Sequence, residues 1–411
     1  MSSLSISCCF DGGNCEFVKT VDGSPVEVHV NVKNDPHTEL EKMHHKQWFS
    51  FRASGCRQNG KNTTYKFVLA NAGECSYPKA WKDYNVCASY DHKNWFRVPS
   101  GYDESAGQLH WTMEVTSDQI YFAYFAPYSY ERHLDLIARC ASLATGFSAN
   151  EVNIRNKTEV TVRSLGNTLD GRSMDLVTIG SGPLKVWTIA RQHPGETMAE
   201  FFMEGFIERL LDETDPVTRK LRREATFYCV PNMCPDGSFR GHLRTNACGA
   251  NLNREWCTTG DYVAPTLERS PEVYHVLAEM DRVGCDMCMD IHGDENLPYN
   301  FILGAEAIPA WNASPRLKSL QDAFCTAFMK ASPDFQCTVG YSEQPPPELI
   351  LCVGAKQIAN RFDCLAFTVE MPYKDTVEDP LPGVGWSAQR SGNLGRSVLD
   401  AVLTILPNLR A

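Results

Sequence analysis

Between Val26 and Lys33 the chain alternates strictly, with Val26, Val28, Val30 and Val32 set against Glu27, His29, Asn31 and Lys33. A period of two predicts a strand with one buried face. Two further runs, YKFVLANA and QIYFAYFAPY, follow it, divided by clusters of Gly, Asn, Asp and Ser with little helical periodicity between them. Four of the eight tryptophans, Trp48, Trp81, Trp95 and Trp111, fall in this stretch. Short strands punctuated by turn residues predict an antiparallel β-sandwich, assigned here to residues 1–135 as an N-terminal domain. The segment SYERHLDLIARCASLATG reads as a helix leading out of it.

From residue 136 the pattern changes. The runs MDLVTIG, LKVWTIA, ATFYCVPNM, CDMCMDI and CLAFTVE are predominantly apolar and are separated by helix-like segments. In one of these Met198, Phe202, Phe206 and Leu210 recur every fourth residue, which predicts an amphipathic helix. Fully apolar strands are buried on both faces, so residues 136–411 are predicted to form an α/β domain with helices on both sides of its sheet. The stretch EQPPPEL, from Glu343, is expected to be a local loop.

Composition narrows the function classes. With 411 residues, 43% of them hydrophobic and 22% charged, the chain suits two globular domains. No apolar run is long enough to span a bilayer, so no membrane partner is expected. A net charge of -11 argues against nucleic acid as a partner. The start, MSSLSISCCFDGGN, has neither a basic region nor a long apolar one, so a cytoplasmic location is expected. The seventeen cysteines lie in apolar runs such as TFYCV and LILCV, which suits buried free thiols. Cys285 and Cys288 sit inside a predicted buried strand and are expected to pack there, and the pair His44 and His45 is expected at a surface or sheet edge.

Candidate chemistry gathers at the ends of the apolar strands. His193 and Glu196 follow LKVWTIA directly, with Gly195 between them to let the backbone turn. His292 lies just past CDMCMDI. In an open α/β sheet, sites form at the carboxyl ends of strands. Two imidazoles and one carboxylate with a fourth position open make a catalytic zinc set. Taken singly, the same residues fit a capping histidine and a helix-start acid favoured by the dipole. Glu370 ends CLAFTVE, where a carboxylate could move a proton at a zinc site that lowers the pKa of water to about 7. Asp290 and Asp294 flank His292 and could orient a ligand or shape a pocket. The loop after ATFYCV holds Arg240, Arg244, Asn246, Asn251, Asn253 and Arg254, a set able to bind carboxylate or stabilise an oxyanion, or else to be solvated.

In their order along the chain, HPGE, PDG followed by NLNREW, DIHGDE and FTVE resemble the zinc metallocarboxypeptidases. ASYDHKNWFRVP and YFAYFAPYSYERH resemble the N-terminal β-domain of the cytosolic carboxypeptidase subfamily, in particular its compact bacterial-type members. The resemblance implies a mixed sheet in the second domain, one zinc ion per chain, and His193, Glu196 and His292 as its ligands. It implies Glu370 as general base and acid, Arg244 as the group that polarises the scissile carbonyl, and Asn253 with Arg254 as the pair that holds a substrate's terminal carboxylate. Pancreatic-type members carry an Asp that hydrogen-bonds a zinc-ligand histidine where this chain has Asn251. Tyr341 is the nearest match to their mobile tyrosine.

In the family that the chain resembles, the position that meets the departing side chain lies about fifteen residues before the catalytic glutamate, which here falls on Ala355, beside Lys356. Lys356 is thus the candidate specificity residue, with Arg361, which could instead pair with Asp363, or Arg240 as substitutes. The implied function is removal of the C-terminal residue from peptides or protein tails, with a preference for glutamate. Two other readings stay open: an N-acyl amino acid hydrolase of the aspartoacylase type, and a non-catalytic tail-binding protein of the same fold.

Overall fold

The computed structural model describes residues 4–41, 44–58, 60–145, 159–258, 264–309, 311, 315–342 and 345–410. The loop predicted from Glu343 therefore begins outside the described residues. The first part of the chain forms β1 (Ser5–Ser7), β2 (Glu16–Val21), β3 (Val26–Asn31), β4 (Ser50–Ser54), β5 (Thr63–Leu69), β6 (Val86–Ser89), β7 (Phe96–Val98), β8 (Ser100–Asp103), β9 (Gln108–Val115) and β10 (Gln119–Ala123). They make two five-stranded sheets, ordered β1-β4-β10-β6-β7 and β2-β3-β5-β9-β8.

Val28, Val30 and Val32 are fully or nearly fully buried, as their alternation requires. One pair departs from the antiparallel pattern: β3 and β5 run parallel. Between them the chain crosses through β4 in the other sheet, the long connection a parallel pair needs. Aromatic rings fill the sandwich, with Phe67 4.5 Å from Phe122 and stacked on Trp111 at 5.7 Å.

The rest alternates helix and strand: α1 (Tyr130–Thr145), β11 (Val160–Asn167), β12 (Ser173–Ile179), β13 (Leu184–Ala190), α2 (Met198–Leu210), α3 (Pro216–Glu224), β14 (Ala225–Val230), α4 (Pro235–Arg240), α5 (Pro271–Val283), β15 (Met287–Ile291), β16 (Phe301–Leu303), α6 (Pro315–Ala331), α7 (Gly354–Phe362), β17 (Leu365–Glu370) and α8 (Ala388–Ile405). Their sheet, ordered β11-β12-β14-β13-β15-β17-β16, is mixed. β14, β13, β15 and β17 run parallel in its centre, and the flanking strands pair antiparallel.

Helix α2 is not half-exposed as its four-residue repeat suggests. Its residues from Met198 to Ile207 are all buried, because α8 covers the side turned away from the sheet. The two helices cross closely: a Cβ on Gly205 would meet the carbonyl oxygen of Gly392 at 2.1 Å.

The hydrophobic core runs without interruption from the sandwich into the α/β part. Tyr124 stacks on Tyr373 at 4.4 Å, and Arg97 Nη2 donates to the carbonyls of Tyr373 and Trp386 at 2.7 and 2.9 Å. All seventeen cysteines are free, and Cys285 and Cys288 are core residues. Among the described residues no helix is long and apolar enough to cross a membrane.

Candidate metal centre and active site

The parallel register brings three strand ends to one edge. Ala190 pairs with Ile291, and Ile291 with Val369, so the chain leaves β13, β15 and β17 side by side. His193 and Glu196 lie on the loop after β13, His292 follows β15 immediately, and Glu370 is the last residue of β17. Gly195 serves this loop through close approach, since its φ is not left-handed. Its N–H donates to the Leu243 carbonyl at 2.9 Å, and a Cβ there would lie 2.8 Å from that oxygen. The left-handed residue is Arg191, at φ 60. Its guanidinium folds under the loop and donates to the carbonyls of Pro194 (2.8 Å) and Tyr128 (3.0 Å) and to Glu200 (2.7 Å).

His193 Nδ1 lies 2.7 Å from Glu196 Oε1, and His292 Nδ1 lies 2.8 Å from Glu196 Oε2. One ligand atom from each residue falls within 4.8 Å of the others, and among the described residues no other trio of His, Cys, Asp or Glu does so. Each outer nitrogen also faces an oxygen. His193 Nε2 meets Asn251 Oδ1 at 3.1 Å, and His292 Nε2 is 3.0 Å from Asp290 Oδ1. The second contact lies at ion-pair distance but off hydrogen-bond alignment, so it acts mainly through charge. Asp290 is held in turn by Gln192 Nε2 at 2.7 Å, and Gln192 Oε1 accepts from Trp256 Nε1 at 2.9 Å.

Burial and the charge of Arg244 push the His193 imidazole down to about 3, leaving it neutral with a lone pair available. Burial opposes charge on Glu196, but His193 and His292 hold its carboxyl well below the usual range. Burial likewise opposes charge on His292, yet Asp290 and Glu196 drive it toward its cationic form. Both acids favour positive charge at this cluster, and a divalent cation held by His193, Glu196 and His292 would supply it. Two imidazoles and a carboxylate, one ring hydrogen-bonded to Asn251 and the other beside the charge of Asp290 at its outer nitrogen, fit a catalytic zinc ion.

Glu370 faces this cluster. Its Oε2 is buried without a hydrogen-bond partner. Burial raises its pKa well above the carboxylate range; His292 opposes this, while Glu196, Asp294 and Glu295 add to it. Burial works against the charge of Arg244, but Tyr77, Glu196, Glu295 and Glu41 around it keep it protonated. Its Nη1 donates to the Tyr77 hydroxyl at 3.5 Å. Tyr341 is 45% exposed as a residue, but its hydroxyl donates inward to Asp294 at 2.6 Å. Asp294 therefore holds the tyrosine, and Asp290 places its charge beside a ligand candidate.

Asn253 Oδ1 accepts from the N–H of Gly354 at 2.8 Å, which ties the arginine- and asparagine-rich loop to the start of α7. Arg254 Nη1 donates to the Asn253 carbonyl at 2.8 Å. Two residues into α7, buried Lys356 donates to the carbonyls of Gly304 and Glu306 at 3.2 and 2.7 Å, and burial lowers its pKa. Arg361 pairs with Asp281 through two 2.7 Å contacts, not with Asp363, which instead meets Arg316. Arg240 is bound to Asp170 at 2.7 Å.

Several residues at this edge were not among the candidates for it in the sequence. Asp35, Glu41, His45 and Tyr77 all come from the first part of the chain. The carboxylate of Asp35 accepts from the N–H groups of Leu243, Arg244 and Thr245 at 2.7, 2.8 and 3.0 Å. His45, expected at the surface or a sheet edge, is buried, whereas His44 is exposed.

Residues 6–125 match the family model for the cytosolic carboxypeptidase N-terminal domain, and residues 148–320 match that for zinc carboxypeptidase. A metallo-carboxypeptidase from Burkholderia cenocepacia is 42% identical, covers 98% of this chain and of its own, and superposes with a TM-score of 0.86. A metallo-carboxypeptidase from Pseudomonas aeruginosa, solved in complex with (2-guanidinoethylmercapto)succinic acid, is 40% identical over 99% of this chain and 100% of its own, also with a TM-score of 0.86. Human cytosolic carboxypeptidase 1 is 26% identical over 73% of this chain, which spans 26% of that protein's length. The chain belongs to the zinc carboxypeptidase family, in the branch that carries the cytosolic carboxypeptidase N-terminal domain, and it is a metallocarboxypeptidase.

Proposed function

We propose that this enzyme holds one zinc ion per chain through His193, Glu196 and His292 and removes single residues from the C-termini of peptides or protein tails, preferring glutamate. The observation that carries the reading is the buried, unpartnered Oε2 of Glu370 facing the His–Glu–His cluster. Zinc, when bound, supplies Lewis-acid polarisation and lowers the pKa of water to about 7. Glu370 takes the proton from the attacking water and returns it to the leaving amine. Its raised pKa, caused by burial and neighbouring acids, suits a group that must both accept and donate. Arg244, kept charged and tied to Tyr77, faces the carbonyl oxygen as negative charge develops there. Asn253 and Arg254 bind the terminal carboxylate, and Tyr341 closes over the substrate from its tether on Asp294.

The glutamate preference rests on Lys356. Two observations support it: the buried ammonium is two residues from Gly354, and Gly354 is hydrogen-bonded to Asn253 of the carboxylate-binding pair. Arg240 and Arg361 are less suited, since each is ion-paired to an acid, Asp170 or Asp281, whereas the described hydrogen bonds of Lys356 go to the neutral carbonyls of Gly304 and Glu306. Residues 1–135 and 136–411 are proposed as the two domains, working as one unit over their common core. The cytoplasm is the compartment that similarity to the cytosolic carboxypeptidases favours.

The test is zinc content together with a hydrolysis profile on short peptides that differ only in the last residue. About one zinc per chain and fastest release of glutamate are expected. Wild-type zinc occupancy in both His193→Ala and His292→Ala would remove the ligand assignment. Faster release of Phe or Leu would remove the acidic preference.

A further inference from the structure

The outer nitrogen of His193 meets an amide where the pancreatic-type pattern has a carboxylate. Asn251 Oδ1 accepts at 3.1 Å, and an amide oxygen carries no net charge. Behind that amide lies a carboxylate from the other part of the chain. Asn251 Nδ2 donates to Glu41 Oε2 at 3.2 Å, across 210 positions of sequence. Glu41 ends the short helical turn Glu39–Glu41, and His45 Nε2 lies 3.4 Å from the same oxygen. The side chains of His45 and Glu41 are 0% and 5% exposed. Burial opposes charge on Glu41, but its bonds from His45 and Asn251 and the charge of Arg244 outweigh it and keep the carboxyl ionised.

A buried carboxylate is costly unless it is paired, so its position here needs a reason. The hydrogen bonds run in one direction: imidazole N–H to amide oxygen, amide N–H to carboxylate. Such a chain polarises the intervening amide, and its oxygen becomes a stronger acceptor for the ring.

We propose that Glu41 is a positioning residue of the metal centre, supplying through the Asn251 amide the outer negative charge that orients His193 and strengthens its hold on the cation. The proposal rests on the reading of His193 as a metal ligand. It makes the first part of the chain a component of the zinc site.

The test is zinc affinity and zinc release rate, measured by chelator competition on folded, zinc-loaded protein without recourse to peptide turnover. The variants are Glu41→Gln, Asn251→Asp and the two together, with circular dichroism as the folding check. Glu41→Gln should lower zinc affinity by about 10- to 100-fold, the usual effect of losing an outer partner of a ligand. Asn251→Asp should also weaken binding, because it sets two carboxylates face to face. The double variant exchanges carboxylate and amide along the same chain, so it should recover to within about threefold of wild type, a reversal that independent sites do not produce. Affinity within twofold of wild type in Glu41→Gln, or a double variant that binds no better than Asn251→Asp, overturns the proposal.

If Glu41→Gln does not fold, the double variant decides alone: it should fold and bind zinc more tightly than Asn251→Asp, and failure of either overturns the proposal. His193→Ala and His292→Ala separate this from the ligand assignment. If they keep wild-type zinc, the ligand reading fails. If they lose it while Glu41→Gln does not, only the role of Glu41 fails.

Discussion

The main-chain N–H of Arg244 donates to the carboxylate of Asp35 at 2.8 Å, so a residue of the first part of the chain holds the loop that carries this half-buried arginine. The same carboxylate takes the N–H groups on either side, and the carbonyl of Leu243 in turn accepts from Gly195, between the two ligand candidates of the first loop. Asp35→Ala would leave three buried N–H groups without this acceptor. Unmade buried hydrogen bonds cost about 1–3 kcal/mol each, so a loss on the order of 3–5 kcal/mol in urea unfolding is expected after partial relaxation. Turnover should fall at least tenfold with zinc retained. Wild-type turnover in the folded variant would disconnect Asp35 from the position of Arg244.

Glu370→Gln should keep the fold and the zinc but lose about 10²–10⁴-fold in turnover, the usual range for a general acid-base group. The amide is isosteric and removes only the ability to take a proton. A loss below about tenfold would mean that another group moves the proton.

Arg244→Ala should lose about 10²–10³-fold, as for one oxyanion donor. Tyr77→Phe should lose only about 3- to 10-fold, because it removes a hydroxyl that orients Arg244 and leaves the guanidinium in place. If Tyr77 acts through Arg244, adding Tyr77→Phe to Arg244→Ala should cost little more. Fully additive losses in kcat/KM would separate their roles.

Amidating the substrate's C-terminus should abolish cleavage, since Arg254 would then face a neutral group. Among free peptides, those ending in glutamate should be hydrolysed faster than those ending in Phe, Leu or Lys, by roughly 10- to 150-fold if one charge-assisted hydrogen bond of about 1.5–3 kcal/mol decides it. Lys356→Ala should erase that preference. A preference that survives the substitution would clear Lys356 and shift attention to Arg361 or Arg240.

His133 gives a pH-dependent contribution away from the metal. Its Nδ1 is 2.8 Å from Glu200 and its Nε2 3.1 Å from Asp175, which ties α1 to α2 and β12. Burial works against its charge, but Asp175 and Glu200 raise its pKa to about 9. The unfolded value is about 6.5. A raised folded pKa stabilises fully below about pH 6.5, and that contribution is lost as pH rises through about 9. Unfolding free energy should therefore fall by on the order of 1–3 kcal/mol between pH 6 and pH 9.5 through this group. His133→Gln, though less stable at pH 6, should lose less over the same interval. Equal slopes in the two proteins would show that the imidazole is not charged in the folded state.

The sequence by itself determined the two kinds of layer and the chemical set. Val28, Val30 and Val32 alternate because one face of their strand is wet, and the run from Leu365 to Val369 is apolar because both of its faces are covered. His193, Glu196, His292 and Glu370 were legible because each sits at or just past the end of an apolar run, where a parallel sheet presents its sites. The burial of α2 on every side was not legible, since its repeat describes the sheet-facing stripe and contains nothing about α8. The parallel pairing of β3 with β5 was likewise hidden, because a period of two is the same in either direction.

Tertiary structure alone decided what surrounds the chemistry. Asp35, Glu41 and Tyr77 are ordinary polar residues in their local sequence, and they meet Arg244 and Asn251 only across roughly 170 to 210 positions. The partner of Arg361 was hidden for the same reason, being Asp281 on another helix and not Asp363 two residues on. Periodicity records which face of an element is buried, and a motif records which groups leave a strand end together. Neither contains the contacts made when one sheet packs against the loops of another, and those contacts place Arg244 and support His193.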